Sequence, residues 1–98
     1  MTETPLQQIR DAVREGRHRL SHHAVRELAA DGLLAIDAES AVLTGTIVRI
    51  EKENTPQQPG PRYTVVGKPT DLTSELAVVF RFETAEQLLI ITCYEVDT

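Results

Sequence analysis

The chain has 98 residues, 41% of them hydrophobic, and this length is typical of one small domain with a single core. Its formal net charge of −5 disfavours nonspecific binding to DNA or RNA, so a nucleic-acid function would require a local basic patch. The single cysteine, Cys93, excludes an internal disulfide and a multi-cysteine zinc site, and its apolar neighbours indicate a small core residue. No signal peptide or membrane-spanning run is recognisable, so we expect a cytoplasmic protein without membrane contact.

Helix signals fill the first half of the chain. Capping residue types precede runs in which apolar side chains recur at helical spacing, and glycines follow these runs. The pattern predicts three helices: from Pro5 to before Gly16, from after Ser21 to about Asp31, and from about Asp37 to before Gly45.

After Gly45 the apolar period changes to two, which is typical of strands. Strands are predicted over Thr46–Glu53, Arg62–Gly67, Glu75–Glu83 and Leu88–Val96. The intervening segment 54–61 is rich in proline and is predicted to be a loop, whereas the short connection 84–87 predicts a hairpin. Helices over about 5–45 followed by strands over about 46–96 indicate one α+β domain, 1–98, with the helices packed on a four-stranded antiparallel sheet.

The three histidines lie within six residues, at positions 18, 22 and 23. Imidazole can both accept and donate a proton near neutral pH, and His23 follows the capping residue Ser21, so it is the best candidate for a general base. The structural alternative is that His23 only donates a hydrogen bond to a strand. We expect His22 and His18 to face solvent, and we expect no metal site because residues 19–21 interrupt the helix between them.

Several short motifs follow one another along the chain: Ile9-Arg10, Leu20-Ser21-x-His23-Ala24, Gly45-x-Ile47, Pro61-Arg62-Tyr63 and Ile91-Thr92-Cys93-Tyr94. From about Ile9 to Tyr94 the chain resembles a family of small bacterial domains of unknown function, often encoded beside a zinc-finger antitoxin-like protein. The resemblance implies the fold of RelE, barnase and colicin-type ribonucleases. Relatives tend to carry arginines after the motif alanine and at the end of that helix, and this chain departs from the pattern with Glu27 and Asp31.

The resemblance implies metal-independent RNA cleavage without a cofactor. This reaction needs a base for the ribose 2′-hydroxyl, a cation for the phosphorane and an acid for the leaving 5′-oxygen. His23 is the candidate base, and Arg62 is the candidate phosphate ligand through its planar guanidinium. Tyr94 and Thr92 share one face of the last strand and are candidates for proton transfer or phosphate binding. The alternatives are an ion pair for Arg62, edge packing for Tyr94 and strand propensity for Thr92.

Two functions from different classes follow. The first is a toxin-like endoribonuclease of a toxin–antitoxin type system, with RNA as its substrate. The second is a non-catalytic binding module of the same fold that pairs with an adjacent regulator or antitoxin, which the acidic charge favours because a nucleic-acid-binding partner is basic. A catalytically silent oligomer that associates through an uncovered Leu88–Ile91 patch remains a third. Convergence of His23, Arg62 and Tyr94 in one groove would support the enzyme.

Overall fold

The computed structural model describes residues 4–52, 60–69 and 74–96. It contains three helices, α1 (Pro5–Arg14), α2 (His22–Ala30) and α3 (Ala35–Thr44). Five strands, β1 (His18–Leu20), β2 (Thr46–Glu51), β3 (Arg62–Gly67), β4 (Glu75–Phe82) and β5 (Leu88–Val96), form one sheet in the order β1-β5-β4-β3-β2. The predicted α+β class is therefore confirmed. None of the helices in these ranges is long and apolar enough to cross a bilayer.

The sheet contains one strand more than the predicted four. β2 to β5 pair antiparallel as expected, whereas β1 is three residues long and pairs parallel with β5, His18 lying opposite Leu88. β1 lies inside the segment that the sequence assigned to helices alone. Three residues are too few to show an alternating pattern, and their partner strand is distant in sequence, so no local signal indicates this strand.

The first turn of α2 is fixed against β5 by Ser21. Its hydroxyl accepts a hydrogen bond from the Ala24 amide at 3.0 Å, which caps the helix, and donates to the Ile91 carbonyl at 2.7 Å. The Ser21 amide donates to the Ile90 carbonyl at 2.9 Å. One residue therefore sets both the start of α2 and its position beside the last strand.

One side of the sheet, which we call the covered face, carries the core. Directly paired residues on neighbouring strands point to the same side, and Val65, Val78 and Cys93 form one such row across β3, β4 and β5. The helices bury their apolar residues against this side, in a single cluster that includes Ile9, Leu28, Ala38, Val42, Phe80, Leu88 and Ile90. All three helices therefore pack on the same face.

The other side, which we call the open face, is largely polar. Strand alternation and pairing place three rows of side chains on it, from β5 to β2: Leu89, Arg81, Arg62 and Glu51; Thr92, Val79, Thr64 and Arg49; Tyr94, Ala77, Val66 and Thr46. None of these residues belongs to the cluster buried under the helices. Ala77 and Thr64 are buried by their neighbours, so small side chains form the middle of the face.

A bulge in β5 sets which of its residues reach the open face. Val79 pairs with Thr92 and Phe80 pairs with Ile90, so Ile91 is an extra residue between two pairs. The four apolar residues at the start of β5 are buried to different extents on the two faces. Leu88 and Ile90 are buried in the core, whereas Leu89 and Ile91 are half-buried. Beyond the bulge, Cys93 returns to the covered face between two residues that face the other way.

The crossing of α3 over β3 requires two glycines. A Cβ atom added at Gly45 or at Gly67 would collide with the carbonyl oxygen of Ala41, near the end of α3. Arg10 donates a hydrogen bond to the Gly45 carbonyl at 2.8 Å and so ties α1 to the same point. This close approach fixes β3, and with it β2, beneath the helices.

Candidate functional site

A histidine, a glutamate and a threonine meet where α2 lies beside β5. His23, in the first turn of α2, contacts the Glu27 carboxylate through Nε2. The same carboxylate oxygen, Oε1, accepts a hydrogen bond from Thr92 Oγ1 at 2.7 Å. Glu27 therefore joins a helix side chain to a strand side chain, and we call these three residues the His23–Glu27–Thr92 cluster.

Local backbone structure explains why these residues meet. β1 ends at Leu20, so the carboxyl-terminal half of β5 has no strand beside it on that side in the described ranges, and α2 takes this position. The spacing of His23 and Glu27, four residues apart, places both on one side of α2. The bulge at Ile91 then directs Thr92 away from the core towards Glu27.

The contact with Glu27 assigns the proton on His23. An ionised carboxylate can only accept hydrogen bonds, so the neutral tautomer that suits this contact carries its proton on Nε2 and leaves the Nδ1 lone pair available to accept a proton. The side chain of His23 is 66% exposed, so a substrate can reach Nδ1 from solvent. The neighbouring His22 is also exposed, as expected, and its side chain forms no hydrogen bond with the described residues.

Tyr94 lies next to the cluster on the open face. It follows Thr92 by two residues on β5 and pairs with the small residue Ala77 on β4. The Tyr94 residue is 46% exposed, so its ring stands above the buried Ala77. The structure therefore places Thr92 and Tyr94 side by side, as the sequence predicts from their spacing.

Arg62 also lies on the open face but is separated from the cluster. It begins β3, two strands away from β5, and its Nη2 atom is 3.2 Å from Glu51 Oε2 on β2. Ordinary strand spacing puts the Arg62 Cα atom about 12 Å from that of Thr92. The structure thus joins His23 to Thr92 through Glu27, with Tyr94 two residues farther along β5, and holds Arg62 towards the opposite edge of the sheet.

Two residues that the sequence analysis did not select lie close to this place. Glu27 links the cluster, and its spacing from His23 was the signal that could have identified it. Arg81 is two residues from Val79, the partner of Thr92, and is therefore the diagonal neighbour of Thr92 at about 8 Å. A position between two phenylalanines is typical of the exposed side of a strand, but only the pairing of β4 with β5 shows that Arg81 approaches Thr92.

The prediction that His18 is solvated is wrong. Its side chain is only 10% exposed, and its Nε2 atom is 2.7 Å from Glu39 Oε2 on α3. As a residue of β1 paired with Leu88, it points to the covered face, whereas the next residue, Arg19, points to the open face. His18 and His23 therefore belong to different environments. The described residues contain no group of three or more His, Cys, Asp or Glu side chains that could hold a metal ion.

The open face concentrates arginines in an acidic chain. Four of the eight arginines, Arg19, Arg49, Arg62 and Arg81, lie on this face. Strand alternation places the carboxylates of Glu51, Glu75 and Glu83 on the same side. Glu27, which binds Thr92 of this face, is a fourth glutamate, so arginines and glutamates balance here, in contrast to the net charge of −5 of the whole chain.

Hydrogen bonds and burial shift the pKa values of two groups near these residues. Glu83 accepts hydrogen bonds from Arg19 Nε at 2.7 Å and Nη2 at 2.8 Å, and these bonds hold the pKa of Glu83 below its usual value. Burial raises the pKa of the Cys93 thiol to about 12, and the nearby Glu27 charge contributes in the same direction. Cys93 is therefore a protonated core residue, as the sequence predicts, rather than a nucleophile.

The sequence model of DUF4258, a domain of unknown function, matches residues 20–95. This match covers most of the chain, so the chain belongs to the DUF4258 family. The matched range contains the His23–Glu27–Thr92 cluster, Tyr94 and the whole open face except Arg19. No curated protein and no solved structure matches the chain significantly.

Proposed function

We propose that this member of the DUF4258 family is a metal-independent endoribonuclease whose substrate lies on the open face of the sheet. The observation that carries the proposal is the His23–Glu27–Thr92 cluster, in which Glu27 contacts His23 and accepts a hydrogen bond from Thr92. The cluster lies at the edge of the face on which half of the arginines lie. An exposed imidazole oriented by a carboxylate is suited to general base catalysis. Arginines are suited to binding the phosphates of a single strand.

The reaction assigns each group one task. His23 Nδ1 takes the proton of a ribose 2′-hydroxyl, and the 2′-oxygen attacks the adjacent phosphorus. Arg81, the diagonal neighbour of Thr92, donates hydrogen bonds to the non-bridging oxygens as charge develops on the phosphorane. The bond between phosphorus and the 5′-oxygen breaks, and the Tyr94 hydroxyl donates its proton to that oxygen. The products are a 2′,3′-cyclic phosphate and a 5′-hydroxyl end.

Glu27 and Thr92 support the base in this scheme. In this scheme Glu27 accepts a hydrogen bond from the Nε2–H group, which orients the ring and stabilises the imidazolium after Nδ1 has taken up its proton. Thr92 donates to the same carboxylate oxygen and so fixes its position from the strand side. Arg62 and Arg49 lie farther along the open face. In this proposal they bind phosphates distant from the scissile one.

The wider assignment is part of the same proposal. Helices that precede the antiparallel strands β2 to β5 are consistent with a RelE or barnase-type ribonuclease fold, and such a protein would act as a cytoplasmic toxin controlled by an antitoxin. The second candidate is the binding module of this fold, which pairs with an adjacent regulator without turnover. The acidic charge of the chain favours a basic partner for that role.

The test compares His23→Ala with His22→Ala, because the two histidines are adjacent and exposed but only His23 contacts Glu27. Each purified protein is incubated with a labelled single-stranded RNA in the presence of a chelator, and the product ends are identified. We expect the His22→Ala variant to cleave like the wild type and His23→Ala to be slower by about 10²–10⁴-fold.

A substrate with deoxyribose at the cleaved position is the second control, since it lacks the attacking hydroxyl and should remain intact. Equal cleavage by wild type and His23→Ala would reject the nuclease and assign the activity to contamination. Stoichiometric co-elution with the neighbouring gene product, without any RNA cleavage, would support the binding module.

A further inference from the structure

β2 is the last strand of the sheet, and its outer side is exposed. The sheet order ends at β2, so no other described strand pairs with that side. Val48 is 59% exposed and Ile50 48%, although both are apolar residues of a strand. An edge with these features is a template for pairing with another strand.

Charges on this edge follow a self-complementary pattern. Arg49 and Glu51 lie on either side of Ile50 and both face the open side of the sheet, whereas Ile50 faces the covered side. In the monomer Arg49 Nε is 3.5 Å from Glu51 Oε1. Any antiparallel copy of β2 centred on Ile50 would bring the arginine of one chain opposite the glutamate of the other.

We infer that the β2 edge binds a second copy of this chain, with the two β2 strands antiparallel about a twofold axis at Ile50. This register pairs the two Ile50 side chains on the covered side. On the open side it pairs Arg49 of each chain with Glu51 of the other, which gives two symmetric ion pairs. A twofold axis perpendicular to the sheet places the covered faces of the two chains on the same side of the joined sheet, and the open faces on the other side.

The opposite edge of the sheet offers no comparable surface. β1 has only three residues, and α2 lies beside β5 where β1 ends. Arg19 of β1, which faces the open side, already donates two hydrogen bonds to Glu83. Self-association is therefore directed to β2, where residues 49–51, beyond the bulge at Val48, carry an apolar side chain between two complementary charges.

A contact formed by one pair of short strands is small, so we expect a weak dimer with a dissociation constant in the micromolar range. The inference does not rest on the proposed nuclease. Arg49 is also assigned a distant phosphate contact, but the dimer is measured without RNA, so the two proposals can fail separately. Pairing would nevertheless join the two open faces into one continuous surface.

The experiment measures the mass of the protein in solution by analytical ultracentrifugation, over concentrations from about 1 µM to about 1 mM. Wild type should change from monomer to dimer across this series. Arg49→Glu and Glu51→Arg each place like charges opposite each other twice, so each variant should raise the dissociation constant by about tenfold or more. Arg26→Glu, an equal charge change on an exposed residue of α2, should dimerise like the wild type.

The decisive sample is an equimolar mixture of the Arg49→Glu and Glu51→Arg variants. One chain then has two acidic residues on its edge and the other has two basic residues, so the mixed dimer regains both ion pairs and should form as readily as the wild-type dimer. Thermal unfolding of each variant alone verifies its fold, which matters for Glu51→Arg because Glu51 also contacts Arg62. A wild type that stays monomeric, or a mixture that associates no better than its components, would overturn the inference.

Discussion

Three consecutive residues of β5 show how differently the two faces of the sheet use the same strand. Cys93 is buried among helix residues, and its thiol is held protonated. Thr92 and Tyr94, immediately before and after Cys93, face the open side. Thr92 contacts Glu27, and Tyr94 is exposed to solvent. A strand buried on one side can therefore supply core and candidate site in alternate positions. We therefore expect substitutions at neighbouring residues of one strand to affect either stability or activity, according to the face on which the residue lies.

The largest effect is expected on the covered face. Phe80 is fully buried and stacks on Tyr63 with ring centroids 5.9 Å apart, so Phe80→Ala should lower the free energy of unfolding by about 3–5 kcal/mol. The next residue, Arg81, faces the open side, and Arg81→Ala should change that free energy by no more than about 0.5 kcal/mol. Urea denaturation followed by circular dichroism measures both. Similar losses for the two variants would contradict the assignment of the faces.

Cys93 reports the same contrast without a substitution. Because its pKa is raised to about 12 from an ordinary value of 9.0, the thiol of the folded protein should react with a thiol reagent at pH 8 at least about a hundredfold more slowly than that of the urea-unfolded chain. The raised pKa also makes the free energy of unfolding depend on pH. The thiol ionises first in the unfolded chain, so the free energy of unfolding should fall as pH rises from 9.0 towards 12. Rapid labelling of the folded protein would place Cys93 outside the core.

A smaller effect is expected for RNA binding on the open face. Replacing Arg81 by alanine should weaken the binding of a single-stranded RNA several-fold and reduce the slope of log affinity against log salt by about 0.7, the value for one phosphate contact. Arg14→Ala is the matched control, because Arg14 is exposed at the end of α1. Fluorescence anisotropy at several salt concentrations measures both variants. An equal loss for the two would show that binding does not prefer the open face.

The sequence predicts the helices and the four long strands because each has its own local signal. Thr4 caps α1, Gly45 ends α3, and the apolar period changes there from helical to alternating. β1 has no such signal, since three residues cannot show a period. Its parallel pairing with β5 depends on a contact between segments 70 residues apart in the chain.

The candidate site is predictable only in part, for a related reason. His23 and Thr92 stand out by residue type, and the role of Glu27 follows from its helical spacing to His23. The distance between Arg62 and the cluster, and the approach of Arg81 to Thr92, depend instead on strand order and on the bulge at Ile91. Neither strand order nor a bulge of one residue leaves a pattern in the sequence that local periodicity can reveal.

The double role of Ser21 has a consequence for the timing of assembly. Its hydroxyl and its amide donate hydrogen bonds to the carbonyls of Ile91 and Ile90, which lie about 70 residues farther along the chain. A nascent polypeptide emerging from the ribosome contains its histidines long before those carbonyls are synthesised. The first turn of α2 therefore acquires its final position, and His23 its threonine neighbour, only after β5 has left the exit tunnel.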